Sequence, residues 1–140
     1  LSNASSDEEL ALKNFGMHLG TAYQLIDDVL DYDGDSDTLG KNIGDDLAEG
    51  KPTLPLIYAL GHGSEEQAKL IREALADEEP QTEKLNQVIE IVQDCGALDY
   101  VRELAESESN KALVCLDVLP PSEYRDALTV MVNFSNSRNT

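Results

Sequence analysis

Three aspartates, Asp27, Asp28 and Asp31, form an Asp-Asp-x-x-Asp run, with Gln24 three residues before it. A helical residue advances about 100° around the axis, so with Asp27 at zero, Asp31 falls about 40° away, Gln24 about 60° and Asp28 about 100°. Most of the remaining girth is apolar: Leu19, Ala22, Tyr23, Leu25, Ile26, Val29 and Leu30. A helix of that kind is buried on most sides, so its narrow acidic stripe is expected to line a cleft. Carboxylates one turn apart repel each other, and these also sit at the negative end of the helix dipole. Asp33, Asp35 and Asp37 just beyond add to the repulsion. A cation would offset it. Carboxylate oxygens suit a hard ion, and Mg2+ held by one or two carboxylates, waters and a substrate phosphate fits best.

Lys41 and Lys51, two of ten basic residues in the chain, follow the stripe in the segment Gly40-Lys41-Asn42-Ile43-Gly44-Asp45-Asp46-Leu47-Ala48-Glu49-Gly50-Lys51-Pro52-Thr53-Leu54-Pro55. A glycine-flanked lysine on a loop can reach a phosphate, with backbone N–H groups free to assist. Acidic cluster followed by such lysines spells a metal–diphosphate clamp. Taken residue by residue, a plainer alternative stays open: a solvated acidic helix end followed by surface lysines.

The elements that would position these groups are helical. A first helix is expected to start near Ser6-Asp7-Glu8-Glu9, a serine cap followed by acidic residues. It carries Leu12, Phe15, Leu19, Tyr23, Ile26 and Leu30 as its buried stripe and fails by Asp33-Gly34. Residues 34–55 are expected to be one long irregular stretch. Helices follow near 53–61, 64–77, 81–94, 96–118 and 121–135, with turns at Gly61-His62-Gly63, Glu79-Pro80, Cys95-Gly96 and Pro120-Pro121. Ser64-Glu65-Glu66-Gln67 has the pattern of a capping box. No β-type alternation persists, and the class is all-α.

Composition narrows the function. The chain has 140 residues, 28 acidic against 10 basic, and a formal charge of −18. Such a surface repels phosphate backbones and anionic lipids, so neither nucleic acid nor a membrane surface is an expected partner. No apolar run is long enough for an integral membrane segment. Cys95 and Cys115 read as two reduced, partly buried thiols of a cytoplasmic protein. His18 and His62 have no second ligand at metal spacing and read as packing or surface residues. Leu1-Ser2-Asn3-Ala4-Ser5-Ser6 is no signal peptide and reads as a chain entered midway.

The run from Gly20 to Tyr32, with Gly40-Lys41, Gly44-Asp45-Asp46-Leu47 and Gly50-Lys51-Pro52-Thr53-Leu54-Pro55, resembles the second aspartate-rich region of trans-prenyl diphosphate synthases. It is most similar to the long-chain branch, of the octaprenyl diphosphate synthase type. Fainter similarity continues through Asp94-Cys95-Gly96-Ala97-Leu98 and Ala112 to Pro120, so the whole chain, 1–140, is expected to be the C-terminal portion of such a domain.

The resemblance implies an antiparallel helical bundle of the isoprenoid synthase type, of which this is half. It implies an enzyme that joins isopentenyl diphosphate to an allylic diphosphate by Mg2+-assisted ionisation, making a long-chain polyprenyl diphosphate for a quinone side chain. It further implies Asp27 as the direct metal ligand, Asp28 and Asp31 acting chiefly through bound water, and Gln24 in support. Lys41 and Lys51 would hold the allylic diphosphate, and the full-length enzyme would be a homodimer. Tyr23 stands where the family often has Phe. The first aspartate motif does not occur in these 140 residues, so the fragment alone is expected to be inactive. Residues 34–51 are then expected to be mobile, and the apolar surface around Ile26 and Leu30 to lack its partners. A non-catalytic subunit of a heteromeric prenyl synthase, or an acidic helical interaction module, are the alternative functions.

Overall fold

In the computed structural model, which describes residues 5–33 and 45–138, helix α1 runs Ser6–Asp33. Its cap is Ser5, whose Oγ accepts from the Glu8 amide at 3.2 Å. Asp7, Glu8 and Glu9 fill the first turn, where negative charge meets N–H groups that have no partner inside the helix. Then come α2 (Asp45–Ala48), α3 (Leu54–His62), α4 (Glu65–Ala76), α5 (Thr82–Asp94), α6 (Ala97–Leu116) and α7 (Glu123–Arg138). No strand occurs among the described residues, in keeping with the all-α expectation.

Two compact units share the chain: Leu1–Ile26 with Arg102–Thr140, and Asp27–Val101. In the first, Phe15 and Leu19 from α1 meet Ala112 and Leu116 from α6, Leu119 from the following turn, and Val132 from α7. The four-residue steps 15–19 and 112–116 put one apolar stripe of each helix into this core. Arg125 ties down the α6–α7 turn, donating from Nη1 to the Leu119 carbonyl at 3.1 Å and from Nη2 to Asp117 Oδ1 at 3.4 Å. Ser122 Oγ caps α7 by accepting from the Arg125 amide at 3.1 Å. The helix runs past the expected 135 because Phe134–Arg138 contains no glycine or proline, and Ser135 is buried.

In the second unit α3, α4 and α5 pack on one another. Their inner faces are Pro55, Leu56 and Ala59; Ala68, Ile71 and Ala74; and Val88 and Val92. The capping box forms: Ser64 Oγ accepts from the Gln67 amide at 3.1 Å and Gln67 Oε1 from the Ser64 amide at 2.9 Å. Each of these helices begins and ends within two residues of its expected bounds, the ordinary spread of helix ends.

The stretch expected to be wholly irregular holds one helical turn, α2. Leu47 explains it: its side chain is fully buried, and a single turn is enough to place it there. Gly50 then ends the turn at φ 76°, its amide donating to the Leu47 carbonyl at 2.9 Å. Only glycine takes that φ without strain.

Candidate functional site

The aspartates occupy the last two turns of α1, where the helix has no basic residue to balance them. Asp27 is exposed, whereas Asp28 is 8% and Asp31 0% exposed. Gln24 is exposed on the same helix. Val29 and Tyr32, buried at 1% and 0%, draw this end of the helix inward, and Asp28 and Asp31 go with them. None of the three aspartates lacks an interaction partner, although the buried Asp31 Oδ2 accepts no hydrogen bond among the described residues. The expected bare apolar patch is corrected here: Ile26 is 1% exposed and Leu30 partly buried, so this part of α1 is covered.

Lys51 is exposed, and its Nζ lies 2.9 Å from Glu49 Oε2. It follows Gly50 directly, so the left-handed turn at that glycine sets where Lys51 leaves the α2 turn. Lys41 lies outside the described residues, as does most of the 34–51 segment expected to be mobile.

Among the described residues no three His, Cys, Asp or Glu side chains converge to hold a metal ion. The donor set nonetheless fits magnesium. Mg2+ is seldom caged by protein alone; it is bound through one or two carboxylates, with waters and substrate phosphate completing the octahedron. Asp27 offers one exposed carboxylate of that kind, with the buried Asp28 and Asp31 behind it.

One hydrogen-bonded side-chain pair was not readable from the sequence. His18 Nδ1 and Glu108 Oε2 lie 2.5 Å apart, joining α1 to α6 across 90 residues of chain. Nothing in the spacing of a lone histidine announces a partner so far away. Lys111 Nζ stands 3.5 Å from Glu108 Oε1, and beside this pair lies an open cavity of about 600 Å3 reached by His18, Lys111, Val114 and Cys115.

The His18 hydrogen bond holds the Glu108 carboxyl below the ordinary glutamate value of 4.5, with Lys111 adding to the effect. A carboxyl whose pKa is depressed by folding stabilises the fold above its unfolded value, and that share is lost as pH falls through the depressed one. Glu108→Gln should therefore lower stability at neutral pH. The gap to the parent protein should close as the pH drops below 4.5, read by denaturant melts across that range. A gap independent of pH would mean that the pair contributes by packing alone.

The polyprenyl synthetase family model matches residues 1–92. Octaprenyl diphosphate synthase of Escherichia coli (strain K12) is 45% identical over 139 residues, which is 99% of this chain and 43% of that protein. Among solved structures, the polyprenyl synthase of Caulobacter crescentus CB15, complexed with calcium and isoprenyl diphosphate, superposes with TM-score 0.88 at 36% identity. That match covers 98% of this chain and 42% of the other. Geranylgeranyl pyrophosphate synthase of Corynebacterium glutamicum, complexed with isoprenyl diphosphate and magnesium, superposes with TM-score 0.85 at 32% identity, covering 96% and 39%. The chain thus spans less than half the length of the relatives it matches, and shares their all-α fold over that span.

Proposed function

Because the chain belongs to the polyprenyl synthetase family, we propose that the full-length protein condenses isopentenyl diphosphate with an allylic diphosphate to make a long-chain polyprenyl diphosphate. Residues 1–140 are the C-terminal portion of that enzyme. The observation that carries the proposal is the 45% identity to an octaprenyl diphosphate synthase over nearly the whole chain, a span that contains the aspartate run and both lysine segments.

Asp27 is the direct magnesium ligand in this proposal, because its carboxylate is exposed. Bound there with substrate, magnesium would neutralise charge building on the departing diphosphate. Asp28 and Asp31 act chiefly through metal-bound water in this proposal, and Gln24, exposed on the same helix, supports the ligand. Lys41 contacts the allylic diphosphate and Lys51 helps to hold it. The ion pair between Lys51 and Glu49 is no obstacle, since both side chains are more than half exposed and such surface pairs contribute only about 0–1 kcal/mol. A diphosphate, with more charge and more acceptor oxygens, readily replaces one carboxylate.

The working form is a homodimer in the cytoplasm. Two free cysteines, both partly buried, suit a reducing compartment. No helix among the described residues is long and apolar enough to cross a membrane.

The test is product formation by the purified full-length protein from isopentenyl diphosphate and a labelled allylic diphosphate. A long-chain polyprenyl diphosphate should appear with Mg2+ and vanish on chelation. A folded, magnesium-replete protein that makes no such product would overturn the proposal.

A further inference from the structure

Helix α1 ends in an awkward place. Its last carbonyls have no N–H left inside the helix to bond, and its last two turns hold Asp27, Asp28, Asp31 and Asp33. Lysine or arginine can relieve this end, since their positive charge answers the dipole and their N–H groups bond the last carbonyls. Here the last turn has no basic residue. A neutral side chain from another helix does the work: Gln93 of α5 donates from Nε2 to the Tyr32 carbonyl at 2.6 Å, across 61 residues of chain. The nitrogen must be the atom facing Tyr32, because a carbonyl only accepts.

The choice of an amide has a chemical consequence. A lysine here would answer the carbonyl but would also pair with the neighbouring carboxylates and compete with any cation for them. Glutamine satisfies the carbonyl and adds no positive charge beside the aspartates. Tyr32 directly follows Asp31 and is fully buried, so fixing its carbonyl fixes the turn that presents the acidic cluster. Gln93 itself is exposed, so its contribution to the core is small.

We infer that Gln93 is a positioning residue for the metal site: its amide, on the Tyr32 carbonyl, sets the last turn of α1 without placing a cation beside the aspartates. The inference rests on the proposed role of Asp27 as magnesium ligand, and the experiment separates the two.

Gln93→Met keeps the shape and removes the donor; Asp27→Asn tests the site itself. Both are made in the full-length protein, and the binding of Mg2+ with inorganic pyrophosphate is measured by calorimetry. Amide exchange of residues 30–33 is followed in the metal-free protein. Gln93→Met should weaken binding about tenfold, the scale on which groups that orient metal ligands act. It should also speed exchange at residues 30–33 while leaving the thermal midpoint unchanged. If Asp27→Asn abolishes binding and Gln93→Met does not alter it, the positioning role is wrong and the metal site stands. Faster exchange with unchanged affinity likewise overturns the positioning role and leaves a local structural bond only. If Asp27→Asn binds as the parent does, the metal site falls, and the role of Gln93 with it.

Discussion

Asp27→Ala in the full-length protein is expected to lower turnover roughly a thousandfold or more, the scale set by removing one preorganised electrostatic contact to a developing charge. The chemistry proposed for the site leaves little else to do that work. Ionising an allylic diphosphate means stabilising the departing anion, and Asp27 offers the exposed carboxylate that would hold a cation against it. Folding should survive, since the side chain is exposed and its removal relieves repulsion within the cluster by a few tenths of a kcal/mol, roughly. The decisive pair of measurements is steady-state turnover and a thermal melt on the same preparation. A folded variant turning over near the parent rate would return the aspartate run to the plainer reading of a solvated helix end.

Ile71→Ala should cost about 2–5 kcal/mol of stability, the usual range for truncating a buried branched side chain. The upper part of that range is expected. Ile71 is fully buried in α4 between Ala68 and Ala74 on the same face, and neither methyl group can move far to fill the void. A domain is typically stable by about 5–15 kcal/mol, so this one change removes a large share. The effect should also reach activity, because α4 packs on α5, the helix whose Gln93 holds the end of α1. Urea denaturation of parent and variant gives the number. A loss under about 1 kcal/mol would mean that the α3–α4–α5 core collapses around the gap, against the close packing expected of interiors.

The fold was legible wherever a local signal sufficed. Serine caps, a glutamine at the third helical position, and apolar residues at three- and four-residue steps located α1 and α3–α7 to within a few residues. The single turn α2 was not legible. Its four residues lie in a run of glycines and acids, and the burial of Leu47 that stabilises it depends on tertiary packing. The aspartates were only half legible. A helical wheel places Asp27 and Asp31 about 40° apart on one stripe, yet one is exposed and the other is fully buried. A wheel gives directions around an axis but not where along that axis the covering begins. Ile26 illustrates the same limit, expected to lack its partners and found 1% exposed. The His18–Glu108 and Gln93–Tyr32 bonds span 90 and 61 residues, and a pair that distant has no signature in local spacing.

The short ion pair between Lys51 and Glu49 bears on how a substrate could arrive. Two opposite charges 2.9 Å apart nearly cancel for any ion more than a few ångströms away. Beyond a Debye length, about 8 Å at physiological salt, what an approaching diphosphate senses of this pair is close to nothing. The rest of this region carries a large negative excess, which pushes anions away. In the role proposed for it, Lys51 would be a poor lure and a good latch, silent during approach and engaged only once a diphosphate is near enough to displace a carboxylate.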